Sequence, residues 1–259
     1  MIDRVQLNTL CDIAQQAGRE VMAVYGTEFA SWSKDDDSPL THADLRSDRV
    51  IREGLEQAFP GVFILSEESS SQAQGTIDHF FLVDPLDGTK EFLKRNDEFT
   101  VNIALIERGV PVAGVVLAPA LGQLYFGAAA IGAFRRDAQG EAALRTQPPA
   151  APLRVIGSRS HGGEALEAWL KRLTCDHAFV AAGSSLKFCR LAEGQADVYP
   201  RLGPTSQWDT AAGQAVLECA GGAVLQASGE DLRYGLQRPI LNPNFIAQVR
   251  RGMQVPGID

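Results

Sequence analysis

Cysteine is scarce here, and what there is does not pair. Cys11, Cys175, Cys189 and Cys219 are the four cysteines in 259 residues, and no two form a C-x-x-C. None has a histidine at a ligand-like spacing, so neither a redox pair nor a cysteine–histidine site is indicated. Scattered thiols of this kind read as reduced and mostly buried, in a cytosolic chain. Basic runs are missing too. Lys and Arg number 24 against 32 Asp and Glu, a net charge of −8. Nucleic-acid polymers and anionic membranes are therefore poor partners. The same acidity repels an anionic substrate unless bound cations reverse the local field. Met1-Ile2-Asp3-Arg4 leads straight into an amphipathic stretch, with no apolar signal core behind it. No G-x-S-x-G elbow occurs, which counts against a serine hydrolase, and no Walker A segment, which counts against a P-loop kinase. No internal repeat or low-complexity segment stands out.

One uncharged run, 109–134, is long enough to span a bilayer. Gly109, Gly114, Gly122, Gly127 and Gly132 interrupt it, with Pro111 and Pro119. Short apolar pieces between turn residues predict two or three buried strands instead.

The chain as a whole is 45% apolar, enough for one large core or two packed halves. Leu7, Leu10, Cys11, Ala14, Ala17, Val21 and Tyr25 recur at helical spacing and predict a helix over 5–25, stopped by Gly26. Residues 34–40 read as a mobile polar loop. Thr41 is a candidate N-cap with Asp44 three residues on, opening a helix with Leu45, Ile51, Leu55 and Phe59 inward. Strands are predicted at 62–65, 80–83, 100–106, 112–117 and 124–126. Residues 135–153 are polar, then Ala/Pro-rich, and mark the best boundary. Beyond it, strand and helix alternate: 153–157, 164–173, 178–182, 184–193, 196–199, 208–220 and 223–226. The fold class is thus α/β, in two halves, 1–150 and 151–259.

Two of the strands end in acids. Val62-Phe63-Ile64-Leu65 runs into Ser66-Glu67-Glu68, and Phe80-Phe81-Leu82-Val83 runs into Asp84-Pro85-Leu86-Asp87-Gly88-Thr89. Buried strands that end in carboxylates can gather them at one sheet edge. A lone acid at a strand end is usually a cap. Several buried together are costly unless cations neutralise them. Asp84 and Asp87 on one tight turn suit a hard cation such as Mg²⁺, which takes oxygen ligands. Gly88 and Thr89 open a helix, where free amides favour phosphate. Asp209, in Trp208-Asp209-Thr210-Ala211-Ala212-Gly213, is either a first-turn acid on the helix dipole or a ligand delivered by the second half. His161, Lys187 and Ser184 taken alone read as surface or capping residues.

The segment Asp84-Pro85-Leu86-Asp87-Gly88-Thr89 resembles the signature of the inositol monophosphatase superfamily, Mg²⁺-dependent, Li⁺-sensitive sugar-phosphate phosphatases. The 208–213 segment resembles its second signature. With Pro39–Asp44 and Leu65–Glu68 the likeness covers nearly the whole chain. Lys90–Asn96, Gly157–His161, Gly183–Cys189 and Tyr199–Arg201 look like the bacterial CysQ-type 3'(2'),5'-bisphosphate nucleotidases. This resemblance implies a sugar-phosphatase fold of alternating αβαβα layers. It implies two or three Mg²⁺ ions, a first held by Glu67, Asp84 and the Leu86 carbonyl. Asp84 would bridge to a second, completed by Asp87 and Asp209. Thr89 would share a proton network with Asp44 and orient the attacking water, with Glu67 also catalytic. Gly88 and Thr89 would hold the scissile phosphate. Ser184, Lys187, Arg201, Asp209 and His161 would contact the nucleotide. Glu68 would stand behind the ligands. The implied reaction removes the 3'-phosphate of adenosine 3',5'-bisphosphate, or its sulfated analogue. The alternatives are an inositol or sugar phosphatase and a silent binding protein on the same scaffold. Localisation would be cytoplasmic, with a peripheral contact at the inner membrane left open, as monomer or homodimer.

Overall fold

The structure, a computed structural model, describes residues 2–27, 31–33, 39–68, 77–158 and 163–258. Helix α1 spans Arg4–Tyr25. Asp3 starts it, its carboxylate accepting from Gln6 N at 2.8 Å while Gln6 Oε1 accepts from Asp3 N at 3.0 Å, a reciprocal cap. Gly26 ends it, as expected. Two short antiparallel strands, β1 (Ser31–Ser33) and β2 (Pro39–Thr41), lead to helix α2 (His42–Ala58). The loop expected over 34–40 falls mostly outside the described residues, and its last two belong to β2. The inward face of α2 carries Ala43, Asp44, Ser47, Asp48, Ile51 and Leu55. Leu45, expected inward, is 47% exposed. One residue past Asp44 it is turned about 100° away, and polar residues take the buried positions at this end.

Next come β3 (Phe63–Ser66), β4 (His79–Asp87), helix α3 (Thr89–Leu93), β5 (Thr100–Glu107), β6 (Val110–Ala118), β7 (Gln123–Ala128), β8 (Gly132–Asp137) and β9 (Gly140–Leu144). The seven strands form one sheet in chain order. The β3–β4 pair is parallel and the rest antiparallel. The uncharged run becomes β6, β7 and the first half of β8, and among the described residues no helix is long and apolar enough to cross a membrane. Residues 135–144, read as part of a polar boundary, instead finish β8 and make β9. Their alternating polar positions suit an edge hairpin with a wet face.

Strand β10 (Leu153–Ser158), helix α4 (Gly163–Lys171), β11 (His177–Ala182), helix α5 (Leu186–Ala192), β12 (Val198–Arg201), helix α6 (Gln207–Cys219), β13 (Ala223–Gln226) and β14 (Phe245–Gln248) follow. They build a second sheet in the order β11-β10-β12-β14-β13, with β14 antiparallel to both neighbours.

Strand alternation sorts the cores. Phe81, Val83, Ile103, Leu105 and Val115 face α1 and α2. Phe80, Leu82, Ala104, Ile106 and Val116 face α5 and α6, which also pack on Ile156, Tyr199, Val224 and Phe245 of the second sheet. Val155, Val198 and Ile246, on that sheet's outer face, pack with Trp169 of α4. The layers therefore run αβαβα. Helix α6 lies flat on β6. A Cβ on Gly114 would come within 2.4 Å of the Ala212 carbonyl oxygen and 2.8 Å of the Ala215 Cβ. That close approach is what carries Asp209, at the start of α6, to the end of the first sheet.

Candidate active site and metal centre

The register of β4 on β5 breaks between Asp84, opposite Asn102, and Asp87, opposite Thr100. Two residues of β4 stand against one of β5, so the strand bulges at Pro85-Leu86. The bulge is tied down from both sides. Leu86 N donates to Asp84 Oδ1 at 3.1 Å, and Ser47 Oγ of α2 donates to the Pro85 carbonyl at 2.8 Å. The Leu86 side chain is buried, which leaves its backbone at the turn. Gly88 follows at φ 89°, a left-handed conformation where a side chain is strained. A Cβ there would also crowd Ser184 and the Glu98 carbonyl at 3.3 Å.

Parallel pairing sets β3 beside β4, and Glu67 N donates to the Val83 carbonyl at 3.1 Å. Glu67 therefore emerges next to Asp84. Ser66 Oγ, one residue earlier, donates to Asp48 Oδ1 of α2 at 2.5 Å. Glu68 is half-buried, with its amide on Ser66 Oγ at 3.4 Å. From the other side comes Asp209, whose Oδ2 accepts from Thr205 Oγ1 and Ser206 N, both at 2.8 Å. Both readings of Asp209 start from where it lies. It caps α6 and it reaches the acids of the first sheet. Ligand atoms of Glu67, Asp84 and Asp209 all lie within 4.8 Å of one another.

Such a cluster is electrostatically unfavourable without a cation. Burial pushes Asp84 well above the usual carboxylate range, and Glu67, Asp87, Asp209 and Asp44 push it further. Burial, then Asp87, raises Asp209 to about 7. Asp87 is raised by burial but held down by Lys187 and by hydrogen bonds from Ser185. Hard carboxylate oxygens, buried and mutually repelling, fit a divalent cation such as Mg²⁺.

A cleft of about 470 Å³ opens over the cluster. Of the residues singled out from the sequence, Glu67, Asp84, Leu86, Asp87, Gly88, Thr89, Ser184, Lys187, Arg201 and Asp209 line it, and Glu68, Asp44 and His161 do not. Asp44 is buried beneath, near enough to act on Asp84, and His161 lies outside the described residues. Thr89 Oγ1 donates to the Leu86 carbonyl at 3.4 Å. In the same cleft, Lys187 is buried on α5, its ammonium hydrogen-bonded to the Ser184 carbonyl and 5.5 Å from the Tyr199 ring centre. Burial lowers its pKa to about 8, with Asp87 opposing. Ser184 holds φ 41°, and its buried Oγ has no hydrogen-bond partner. Arg201 folds onto the carbonyls of Gly203, at 3.1 Å, and Pro204, at 2.5 Å.

Sequence reasoning missed the residues that hold the acids. Ser47 and Asp48 follow Asp44 by three and four positions, so helical spacing puts all three on one face. Asn102 is a polar residue in an otherwise apolar strand. Both signals were present. Ser185 had no local signal.

This layered fold gathers its acids at one end of the bulged strand, an arrangement that fits a divalent cation. The sequence profile of the inositol monophosphatase family matches residues 3–254, and the chain belongs to that family. It is 46% identical over 245 residues to the 3'(2'),5'-bisphosphate nucleotidase CysQ of Salmonella typhimurium, covering 92% of this chain and 98% of that one. Its fold is similar to the crystal structure of CysQ from Bacteroides thetaiotaomicron, with a TM-score of 0.86 and 36% identity over 96% of this chain and 98% of that one. The inositol monophosphatase from Anabaena is also similar, at a TM-score of 0.74 and 26% identity, over 97% and 96%.

Proposed function

We propose that this chain is a Mg²⁺-dependent 3'(2'),5'-bisphosphate nucleotidase that hydrolyses adenosine 3',5'-bisphosphate to AMP and phosphate. The observation that carries the reading is that one cleft is lined both by a cluster of acids and by the cations Lys187 and Arg201. A substrate with one phosphate satisfies only the acids, through bound metal ions. A second phosphate gives Lys187 and Arg201 a partner. Names carried by relatives at 42–46% identity support the same substrate class.

In this reading Glu67, Asp84 and the Leu86 carbonyl hold one ion, and Asp84, Asp87 and Asp209 a second. The bound ions would neutralise phosphate charge and lower the pKa of the attacking water. The chain's own residues do the rest. The bulge at Pro85-Leu86, pinned by Ser47, fixes Asp84 and Asp87 relative to each other. Gly88 and Thr89 receive the scissile phosphate at the first turn of α3. Thr89 and the buried Asp44 orient the attacking water. Ser184 lines the cleft beside the nucleotide, and Leu241, 57% exposed and also lining the cleft, offers an apolar surface to its base. Lys187 binds the phosphate that is not cleaved. The reaction is placed in the cytoplasm, where the four free thiols stay reduced.

The test is kcat/KM in Mg²⁺ for adenosine 3',5'-bisphosphate and for inositol 1-phosphate, side by side. The expected result is a strong preference for the bisphosphate. Preference for the inositol phosphate overturns the substrate assignment, and no phosphate release from either overturns the reading as an enzyme.

A further inference from the structure

Three side chains converge on one oxygen of Asp87. Thr100 Oγ1 at 3.5 Å, Asn102 Nδ2 at 3.4 Å and Ser185 Oγ at 2.9 Å all reach Oδ2. Thr100 and Asn102 stand two apart on β5 and so share a face. Ser185 comes from the second half, immediately before α5. All three are essentially buried, at 0%, 1% and 1% exposure. Ser185 Oγ also lies 2.6 Å from the main-chain oxygen of Asp209 and accepts from Asn102 Nδ2 at 2.9 Å.

The chemistry of each group narrows its job. A hydroxyl has one proton to give, so Ser185 donates either to Asp87 or to the Asp209 carbonyl. Its Oγ is in contact with both acid-bearing residues. A serine before a helix ordinarily caps it, yet Ser185 makes no capping hydrogen bond to α5. Its hydroxyl is turned to the acids instead. Asn102 spends its amide donors on Asp87 and Ser185 while its buried Oδ1 has no hydrogen-bond partner. An orphaned buried acceptor is destabilising. Flipping the amide would set its oxygen against the Asp87 carboxylate, so repulsion fixes the orientation seen.

We propose that Ser185, backed by Asn102, is a positioning residue that joins Asp87 to the start of α6 and so sets the spacing of Asp87 and Asp209 for a divalent cation. The proposal rests on the reading that those two acids share an ion. Donors gathered on Oδ2 leave Oδ1 for coordination. The joint also crosses the two halves of the molecule: its acids come from β4 and α6, its hydroxyl from the turn before α5. Neighbouring serines then divide the work. Ser184 faces the nucleotide and Ser185 faces the metal ligands.

The experiment is calorimetric titration of substrate-free enzyme with Mg²⁺, supported by electron paramagnetic resonance of bound Mn²⁺. The proteins are wild type, Ser185→Ala, Asn102→Asp and Asp87→Asn, each with a thermal melt in chelator. Removing a group that orients a metal ligand typically costs 10–100-fold in affinity. Ser185→Ala is expected to weaken Mg²⁺ binding by about 10–100-fold while melting near wild type. Its kcat is expected to recover at high Mg²⁺, with the nucleotide KM unchanged. Asn102→Asp replaces donors by a second carboxylate at equal size and carries the test if Ser185→Ala does not fold. Wild-type Mg²⁺ affinity in the serine or asparagine variant, with weakened binding in Asp87→Asn, overturns the proposal alone. Wild-type affinity in Asp87→Asn overturns the assignment of Asp87 as a ligand beneath it.

Discussion

Lys187→Met separates the role of the cleft's cations from that of its acids. Methionine nearly matches lysine in length and fills the same buried space beside Tyr199 and Phe188, without a charge that burial disfavours. The fold is therefore retained. What is lost is the ammonium, of which one N–H goes to the Ser184 carbonyl. A charge-assisted hydrogen bond to phosphate contributes about 2 kcal/mol, and about 1.4 kcal/mol is tenfold. The expected loss in kcat/KM for adenosine 3',5'-bisphosphate is thus about 30-fold. Lys187 also favours the charged form of Asp87, so the variant affects the acids too. That part is common to every substrate. Adenosine 3'-monophosphate carries the scissile group but lacks the 5'-phosphate, so the ratio of the two substrates cancels it. The assay is steady-state phosphate release at saturating Mg²⁺ for both. The ratio of kcat/KM values should fall about 30-fold. Equal losses on both substrates would refute the assignment of Lys187 to the second phosphate and leave it a partner of Asp87.

Two further changes follow from the same electrostatics. Asp84→Asn keeps an acceptor for Leu86 N and removes one of five mutually repelling acids, so it should melt no lower than wild type in chelator while turnover falls by about 10²–10³-fold or more; near-normal activity in Mg²⁺ would contradict Asp84 as a metal bridge. Glu218, partly buried on α6 and accepting from Gln214 Nε2 at 2.9 Å, is raised by burial to about 7; the folded state then holds its proton more tightly than the unfolded state, so its contribution is full below pH 4.5 and is lost as pH rises through 7. Glu218→Gln should leave the melting temperature unchanged at pH 4.5 and raise stability at pH 8 by about 2 kcal/mol, after discounting for partial exposure; equal melts at both pH values would show that Glu218 titrates normally.

The strands ending in Glu67 and Asp84 could be read directly, because a run of apolar residues closed by an acid is a local pattern. So could α1 and the strands hidden in the uncharged run. What could not be read depends on partners distant in sequence. Phe245–Gln248 is too short to announce itself as a strand. It becomes β14 because β12 and β13 leave a slot between them, one antiparallel partner on each side. The hairpin of β8 and β9 looked like a linker because an edge strand with one wet face carries little apolar signal. Leu45 looked inward because apolar residues usually are. At that end of α2 the buried face is polar, since it looks toward the acids rather than into a core.

The same distinction separates the clustered acids from the residues that hold them. An acid placed where acids are costly is conspicuous in a sequence, because it needs an explanation. A serine before a helix is not, because capping already explains it. In the folded chain Ser185 does not cap, and Asp209 both caps and joins the acid cluster. Position relative to a helix therefore says nothing of Ser185's partners and describes half of what Asp209 does. Hydrogen-bond accounting corrects both: Asp209 spends Oδ2 on its cap and has a second oxygen to give, whereas Ser185 has one proton and two acidic residues to give it to. The site is thus specified twice, by acids that local sequence displays and by neutral donors that only the packing of α5 and α6 against β5 and β6 brings within reach.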